Sequence, residues 1–404
     1  FYTPDKGNIF TQHILFGNAD GGKYINPYAD MVKGYKENST TQILAQLELK
    51  QDFSFLIKGL SARVLFNTSR YSTSELSRSY NPFYYELAGY DQAKDEYILQ
   101  TLNPLKGSEW LSYSEGTKKI SSTTYFEGAL QYNNEFSDVH NVSGLMVFTT
   151  RESRISNAGS LQASLPYRNV GLAGRATYAY DSKYFAEFNF GYNGSENFAK
   201  GYRFGFFPSV AIGYLLSEEK FMEPYKDTFS KIKFRGSFGL TGNDQLDGRR
   251  FAYQTTLGED GTGYDWGTNG QYYHRNSRFE GDFGIPNLTW ETVSKTNAGF
   301  ELGLWNMIDF QVDYFFEHRY NIFMKRNNIP TSAGFRNTPW ANYGKVNNQG
   351  IDLALNVNKQ INKDLYVGFR GSFTYAQNKI IEQDEALGVM GTNRQRTGEK
   401  VNQL

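Results

Sequence analysis

The strongest regularity in the chain is a period of two. Lys231, Lys233, Arg235, Ser237, Gly239 and Thr241 alternate with Ile232, Phe234, Gly236, Phe238 and Leu240. An extended strand over these residues puts cations and small polar groups on one face and apolar groups on the other. Residues 308–320 repeat the pattern: Ile308, Phe310, Val312, Tyr314, Phe316 and Tyr320 share one face, and Asp309, Gln311, Asp313, Glu317 and Arg319 the other. Charged rows of this length are too costly for a dry core without partners. A strand between lipid and a wet lumen carries the same pattern because each face meets its own solvent.

The alternation predicts twelve strands, over 43–50, 59–70, 122–134, 139–150, 170–180, 183–193, 206–216, 231–241, 295–304, 307–320, 349–358 and 364–376. Their connections alternate in length. Short turns at 136–138, 181–182, 305–306 and 359–363 are interleaved with long loops at 71–121, 151–169, 194–205, 242–294 and 321–348. Outer-membrane barrels have short periplasmic turns and longer extracellular loops, so the alternation also gives an orientation. Two medium connections, 51–58 and 217–230, fall on the turn side by parity, and the second is expected to hold a short amphipathic helix before Pro224.

Composition narrows the class. Aromatic residues make up 17% of the chain, with 30 Tyr and 32 Phe, more than a soluble core of this size needs. Mean hydropathy is nevertheless −0.59, and no stretch approaches the ~20 apolar residues of a spanning helix. A transmembrane barrel explains both, because alternate residues face water and aromatics gather at the two interfaces. Lys and Arg total 42, as do Asp and Glu, so there is no electrostatic footprint for nucleic acid. Cysteine is absent, which excludes disulfides and thiolate metal sites. No leader opens the chain at Phe1, as expected if a signal was removed or the chain is part of a longer polypeptide.

Catalytic and metal chemistry find little support. His13, His140, His274 and His318 are scattered without ligand spacing. Residues 260–265 (Asp-Gly-Thr-Gly-Tyr-Asp) could wrap Ca²⁺ as a loop but lack the twelve-position pattern. Gly239-Leu240-Thr241-Gly242 reads as a tight strand exit rather than a phosphate cradle. The acidic pairs Glu218-Glu219 and Asp309/Asp313 are expected to face water. The chain is therefore read as a non-enzyme without a cofactor. The better candidates are loop aromatics beside Asn, Asp and Arg, where rings can stack on sugar faces: Trp110, Tyr113, Tyr264, Trp266, Tyr272, Tyr273, Trp340 and Tyr343. More than half of such rings are expected only to pack loops.

Several ordered strings carry a family resemblance. Residues 168–222 hold an Arg-rich strand ending Tyr178-Ala179-Tyr180, then a Gly194-Ser195 loop, Phe207-Pro208-Ser209 and Ser217-Glu218-Glu219-Lys220-Phe221. Thr241-Gly242-Asn243 follows a strand, and further on come Asn287-Leu288-Thr289-Trp290-Glu291 and Asn342-Tyr343-Gly344 through Ile351; Pro27-Tyr28-Ala29-Asp30 lies near the start. Together they resemble the barrel of SusC/RagA-type TonB-dependent outer-membrane transporters of the Bacteroidetes. Asn193 stands where members often have Asp before the Gly-Ser pair.

The resemblance implies an all-β, antiparallel transmembrane barrel in which residues 1–404 supply about a dozen of ~22 strands. The plug, the TonB box and the closing strands are then expected outside this chain. It also implies TonB-driven import of oligomeric nutrients across the outer membrane, oligosaccharides first and oligopeptides as the alternative. The implied partners are a SusD-like surface lipoprotein, the TonB complex acting through the plug, and lipid. A passive porin, a soluble lectin and an outer-membrane hydrolase are the competing classes.

Overall fold

The computed structural model describes residues 14–268 and 273–401. Seventeen strands occur among them: β1 (Phe16–Gly17), β2 (Gly34–Asp52), β3 (Leu60–Ser79), β4 (Tyr84–Asp91), β5 (Glu96–Thr101), β6 (Ser112–Phe136), β7 (His140–Ile155), β8 (Tyr167–Tyr180), β9 (Tyr184–Ser195), β10 (Phe204–Leu215), β11 (Phe229–Asn243), β12 (Leu257–Trp266), β13 (Tyr273–Glu280), β14 (Glu291–Leu304), β15 (Ile308–Lys325), β16 (Trp340–Gln360) and β17 (Tyr366–Glu382). Twelve form one antiparallel sheet in the order β17-β16-β15-β14-β11-β10-β9-β8-β7-β6-β3-β2. This is an up-and-down meander into which two small sheets, β1-β4-β5 and β12-β13, are inserted.

All twelve strands read from the alternation are present, and their errors are one-sided. At the turn end every boundary agrees within two residues, whereas at the loop end each strand runs two to ten residues further than the pattern predicts. The physical reason is solvent. Within lipid one face must be apolar, so the period of two is enforced; beyond the lipid both faces meet water and the ladder continues without a pattern to mark it.

The turns explain the turn-end accuracy. Ser137-Asp138, Asp181-Ser182 and Trp305-Asn306 all have φ between 50° and 57°. Two central residues at positive φ are what a two-residue hairpin of matching twist requires. In the longer connection after β10, two 3-10 turns (Leu216–Glu218 and Lys220–Tyr225) replace the expected amphipathic helix, and Pro224 lies inside the second rather than beyond it. Glu219 there accepts hydrogen bonds from the Tyr184 and Tyr214 hydroxyls at 2.7 and 3.2 Å, tying the turn to a stacked ring pair.

The chain divides into two compact units. In the first (Phe1–Ala45, Ser69–Ser122 and Arg154–Gly159), β1 pairs in parallel with β4, which pairs with β5. Leu15, Phe16, Ala29 and Tyr85 form its buried apolar set. The Pro27-Tyr28-Ala29-Asp30 string opens a short helix, Pro27–Val32, which Asn26 caps by accepting from the Ala29 N–H at 3.0 Å.

The second unit (Gln46–Thr68, Thr123–Ser153 and Ser160–Leu404) carries the two-faced wall. Register places Tyr184, Tyr214, Phe234, Phe300, Val312, Leu353 and Phe373 in one lateral row, with Phe234 and Phe373 about half exposed. The opposite face is a ladder of charges. Lys231 pairs with Glu301, Arg235 reaches Glu301 at 3.4 Å and Asp313 at 2.5 Å, and the Gln311 amide donates to Asp313 at 2.8 Å. Farther along, Lys295 meets Glu317 at 2.9 Å and Arg319 meets Glu291 at 2.5 Å. Each of these four cations therefore has a carboxylate on a neighbouring strand, whereas the Lys233 amine lies 5.1 Å from the Phe185 ring centre. Asp313 is buried by this pairing, contrary to the expectation that it faces water. Gly299 makes room for it: a Cβ there would lie 2.5 Å from both Arg235 Nε and Asp313 Oδ1.

The two faces should respond differently to substitution. Phe234→Arg, placing a cation on the lipid face, is expected to destabilise the assembled wall by ~2–4 kcal/mol near the midplane, whereas Lys233→Gln on the opposite face should be nearly silent. Assembly yield in outer-membrane fractions measures this, and equal tolerance at the two positions would refute the assignment of faces.

Candidate functional site

At the loop end of the second unit the connections are folded around their own small core. Phe198, Leu246, Ile285, Leu288, Trp290 and Phe323 are buried together, with Phe207, Ala252 and Trp340 packed against them. The family-like strings meet here. Trp290 contacts the rings of Phe198 and Phe207 at 5.1 and 5.4 Å, and its indole N–H donates to the Arg203 carbonyl at 3.3 Å. Asn342 holds the same segment through its side-chain amide: it accepts from the Thr289 N–H at 2.9 Å and donates to the Thr289 and Asn321 carbonyls at 3.0 and 2.8 Å.

The Phe-Pro-Ser string is a departure point. Pairing of β10 with β11 stops at Ser209, so the N–H that Pro208 lacks is not needed on that side. Phe207 then turns its ring onto Gly242, where a Cβ would lie 2.0 Å from the ring. The Gly239–Gly242 run is thus inside β11 rather than a strand exit, and its last glycine is a seat for an aromatic ring. Asp244, two residues on, gathers the Tyr167 and Ser195 hydroxyls and the Asn169 amide on one oxygen, while the Asn197 amide donates to its carbonyl at 3.0 Å. Ser195 belongs to the Gly194-Ser195 string and Asp244 directly follows Thr241-Gly242-Asn243, yet nothing in the sequence shows that these residues meet; the partners lie up to 77 residues apart.

The long connection 242–294 also contains the hairpin β12-β13, which the alternation did not reveal. Its register pairs Trp266 with Tyr273, Tyr264 with Arg275 and Asp265 with His274. Tyr264, Trp266, Tyr273 and Arg275 therefore share one face, and the three rings are 68%, 60% and 56% exposed. Tyr264 and Trp266 meet edge to face at 5.3 Å, and the Arg275 guanidinium lies 4.6 Å from the Tyr273 ring centre. Tyr272 lies outside the described residues, as does His13.

Residues 260–265 belong to this hairpin and do not form a cation loop. Asp260 accepts from the Ser277 and Thr262 hydroxyls and from Arg336 at 3.0 Å. Those hydrogen bonds, Ser277's first, hold its carboxyl well below the usual carboxylate range. Arg336 also sits 3.6 Å from the Phe279 ring centre, so Asp260 and Phe279 clamp the 326–339 loop to the hairpin. No cluster of three or more His, Asp or Glu with metal-holding geometry occurs among the described residues.

The remaining candidates divide by environment. Trp340 has Phe323 stacked on it at 4.8 Å and the Arg249 and Lys325 cations 4.7 and 5.7 Å from its ring centre. Tyr343 is covered by Arg326 at 4.6 Å. In the first unit Trp110 is 76% exposed, and Tyr113 donates its hydroxyl to Glu115 at 2.6 Å.

This wall, with a lipid face, an ion-paired face, short turns and folded loops, defines an outer-membrane β-barrel protein. The family model for the TonB-dependent receptor-like β-barrel matches residues 2–404, and the chain belongs to that family. Similar proteins include TonB-dependent receptor P3 of Formosa agariphila, 26% identical over 94% of this chain and 37% of that protein. TonB-dependent receptor SusC of Bacteroides thetaiotaomicron is 28% identical over 52% of this chain and 20% of that protein. Among solved structures, the RagAB peptide importer in its closed-closed state superposes with a TM-score of 0.65 at 18% identity, covering 89% of this chain and 38% of that one. The chain thus spans less than two fifths of these relatives' lengths.

Two outcomes follow from the site. Trp290→Ala should loosen the loop core by about 3–5 kcal/mol, seen as faster limited proteolysis of the loops, with the wall strands still protected. Asp260 has a depressed pKa, so its support for the hairpin clamp is present above the ordinary value of about 4 and is lost only as pH falls below it. Proteolytic protection of residues 257–280 should therefore hold from neutral pH down to about 4, and an Asp260→Asn variant should lack the acid-dependent loss.

Proposed function

We propose that this chain is wall and loop structure of a TonB-dependent importer that carries oligomeric nutrients, oligosaccharides first, through the outer membrane. The observation behind the reading is the β12-β13 face: Tyr264, Trp266 and Tyr273 exposed on one side of a hairpin with Arg275 beside them. Flat rings next to a hydrogen-bond donor suit sugar faces and hydroxyls. Trp110 and Tyr113 offer further exposed rings, while Trp340 and Tyr343 act by holding the loops in place.

Several parts of the proposal concern the whole protein. β2 and β17 have no outer neighbour in the sheet among the described residues. Unpaired backbone groups in lipid cost several kcal/mol each, so further strands close the barrel and a plug fills it. A SusD-like surface lipoprotein lids the loop end, and the TonB complex supplies energy through the plug. No covalent chemistry is required of this chain.

The test is binding and uptake by the complete transporter. Trp266→Ala should weaken oligosaccharide binding by on the order of 1–2 kcal/mol without reducing barrel assembly. Import should stop when the TonB complex is removed. Unchanged affinity for every oligosaccharide and a loss of oligopeptide binding instead would move the reading to peptide import; energy-independent uptake would make the protein a porin.

A further inference from the structure

The loop end of the second unit holds a cavity of ≈ 270 Å³ that the ring-bearing hairpin face does not use. At ~30 Å³ per water it has room for about nine waters, or for one monosaccharide or amino-acid residue, and is too small for an oligomer. Phe251, Phe283, Ile285, Phe323 and Trp340 supply apolar walls, and Arg249, Arg250 and Asp282 are its charged residues. Two cations against one carboxylate leave one positive charge.

Arginine donors at this cavity are left without protein acceptors. Arg249 has five N–H donors, of which one is engaged, on Asp282. Its guanidinium carbon lies 4.7 Å from the Trp340 ring centre. Arg250 donates to the carbonyls of Gln162, Leu165 and Pro166, yet its Nε is buried without a hydrogen-bond partner. Several of the nearby acceptors already have donors: Asp282 also receives Asn337 at 3.0 Å, Thr256 Oγ1 receives the Asp282 N–H at 2.7 Å, and Ser160 Oγ receives the Ala163 N–H at 3.2 Å.

The backbone that carries these cations is strained. Asp247 and Phe251 have φ of 51° and 52°, a left-handed conformation that an aromatic residue rarely adopts. That conformation sets Arg249, Arg250 and Phe251 on one short loop around the cavity. We infer that the cavity is a binding site for a single carboxylate-bearing residue, with the carboxylate on the Arg249 and Arg250 donors and the body of the residue against Phe283 and Trp340. A hexuronate and the C-terminal residue of a peptide share this chemistry. The site stands on its own lining and does not depend on whether the ligand is imported.

The experiment uses the complete transporter in detergent and four small probes measured by calorimetry: glucuronate against glucose, and N-acetylphenylalanine against its amide. The acid of at least one pair should bind about tenfold or more tightly than its neutral partner, as expected for a charge-assisted contact. Preference within the sugar pair identifies a sugar acid, and preference within the amino-acid pair a peptide end. Arg249→Gln should remove the preference for the acid. Ala163→Phe, which fills the cavity from a different segment and leaves both arginines intact, should abolish binding; resistance of the unheated barrel to SDS checks assembly of both variants. Equal binding of acid and neutral probes in both pairs, no binding of any probe, or wild-type binding by the Ala163→Phe variant would overturn the assignment.

Discussion

Lipid offers a backbone no hydrogen bonds, and most of this structure follows from that constraint. Every N–H and C=O within the membrane has to be paired by a neighbouring strand, so the chain runs as a meander whose sheet neighbours are also sequence neighbours. Short turns keep the pairs in register, and their positive-φ residues give hairpins the right twist. Side chains are then sorted by the pleat alone. The rings of Phe234 and Phe300 lie together on one face, while Arg235 and Glu301, one residue along each strand, meet at 3.4 Å on the other.

The same constraint accounts for what was legible in the sequence. A residue facing lipid must be apolar and its neighbour faces water, so the local pattern was sufficient to find all twelve wall strands and their turn ends. The loop ends were not legible, because a ladder in water imposes no alternation: β16 starts at Trp340, nine residues before its pattern does. The hairpins β4-β5 and β12-β13 were hidden for the same reason. The ring candidates were legible as residues but not as environments. Trp266 and Trp340 look alike in sequence, yet one is exposed on a hairpin and the other has Phe323 stacked on it and Arg249 4.7 Å from its ring centre.

The family-like strings acquire a physical meaning at the loop end. Leu288 and Trp290 are the centre of a core, Asn342 is a backbone clamp, Asp244 is an acceptor for three separate side chains, and Gly242 is space for Phe207. None of these roles belongs to a ligand. They hold the connections in one conformation, which lets the Arg249–Phe251 loop carry backbone strain without relaxing. Order in the loops thus comes from a second, water-soluble style of packing built on top of a membrane wall.

The overrun of the strands has a consequence for reach. Nine residues of β16 beyond the alternating region, at ~3.3 Å each, amount to about 30 Å of ladder, or roughly 23 Å of height if the strand keeps a barrel-like tilt of ~40°. The connections that β16 carries are lifted by that height, so the loop core on which Trp340 packs forms in water, clear of the apolar slab, where ordinary soluble packing applies.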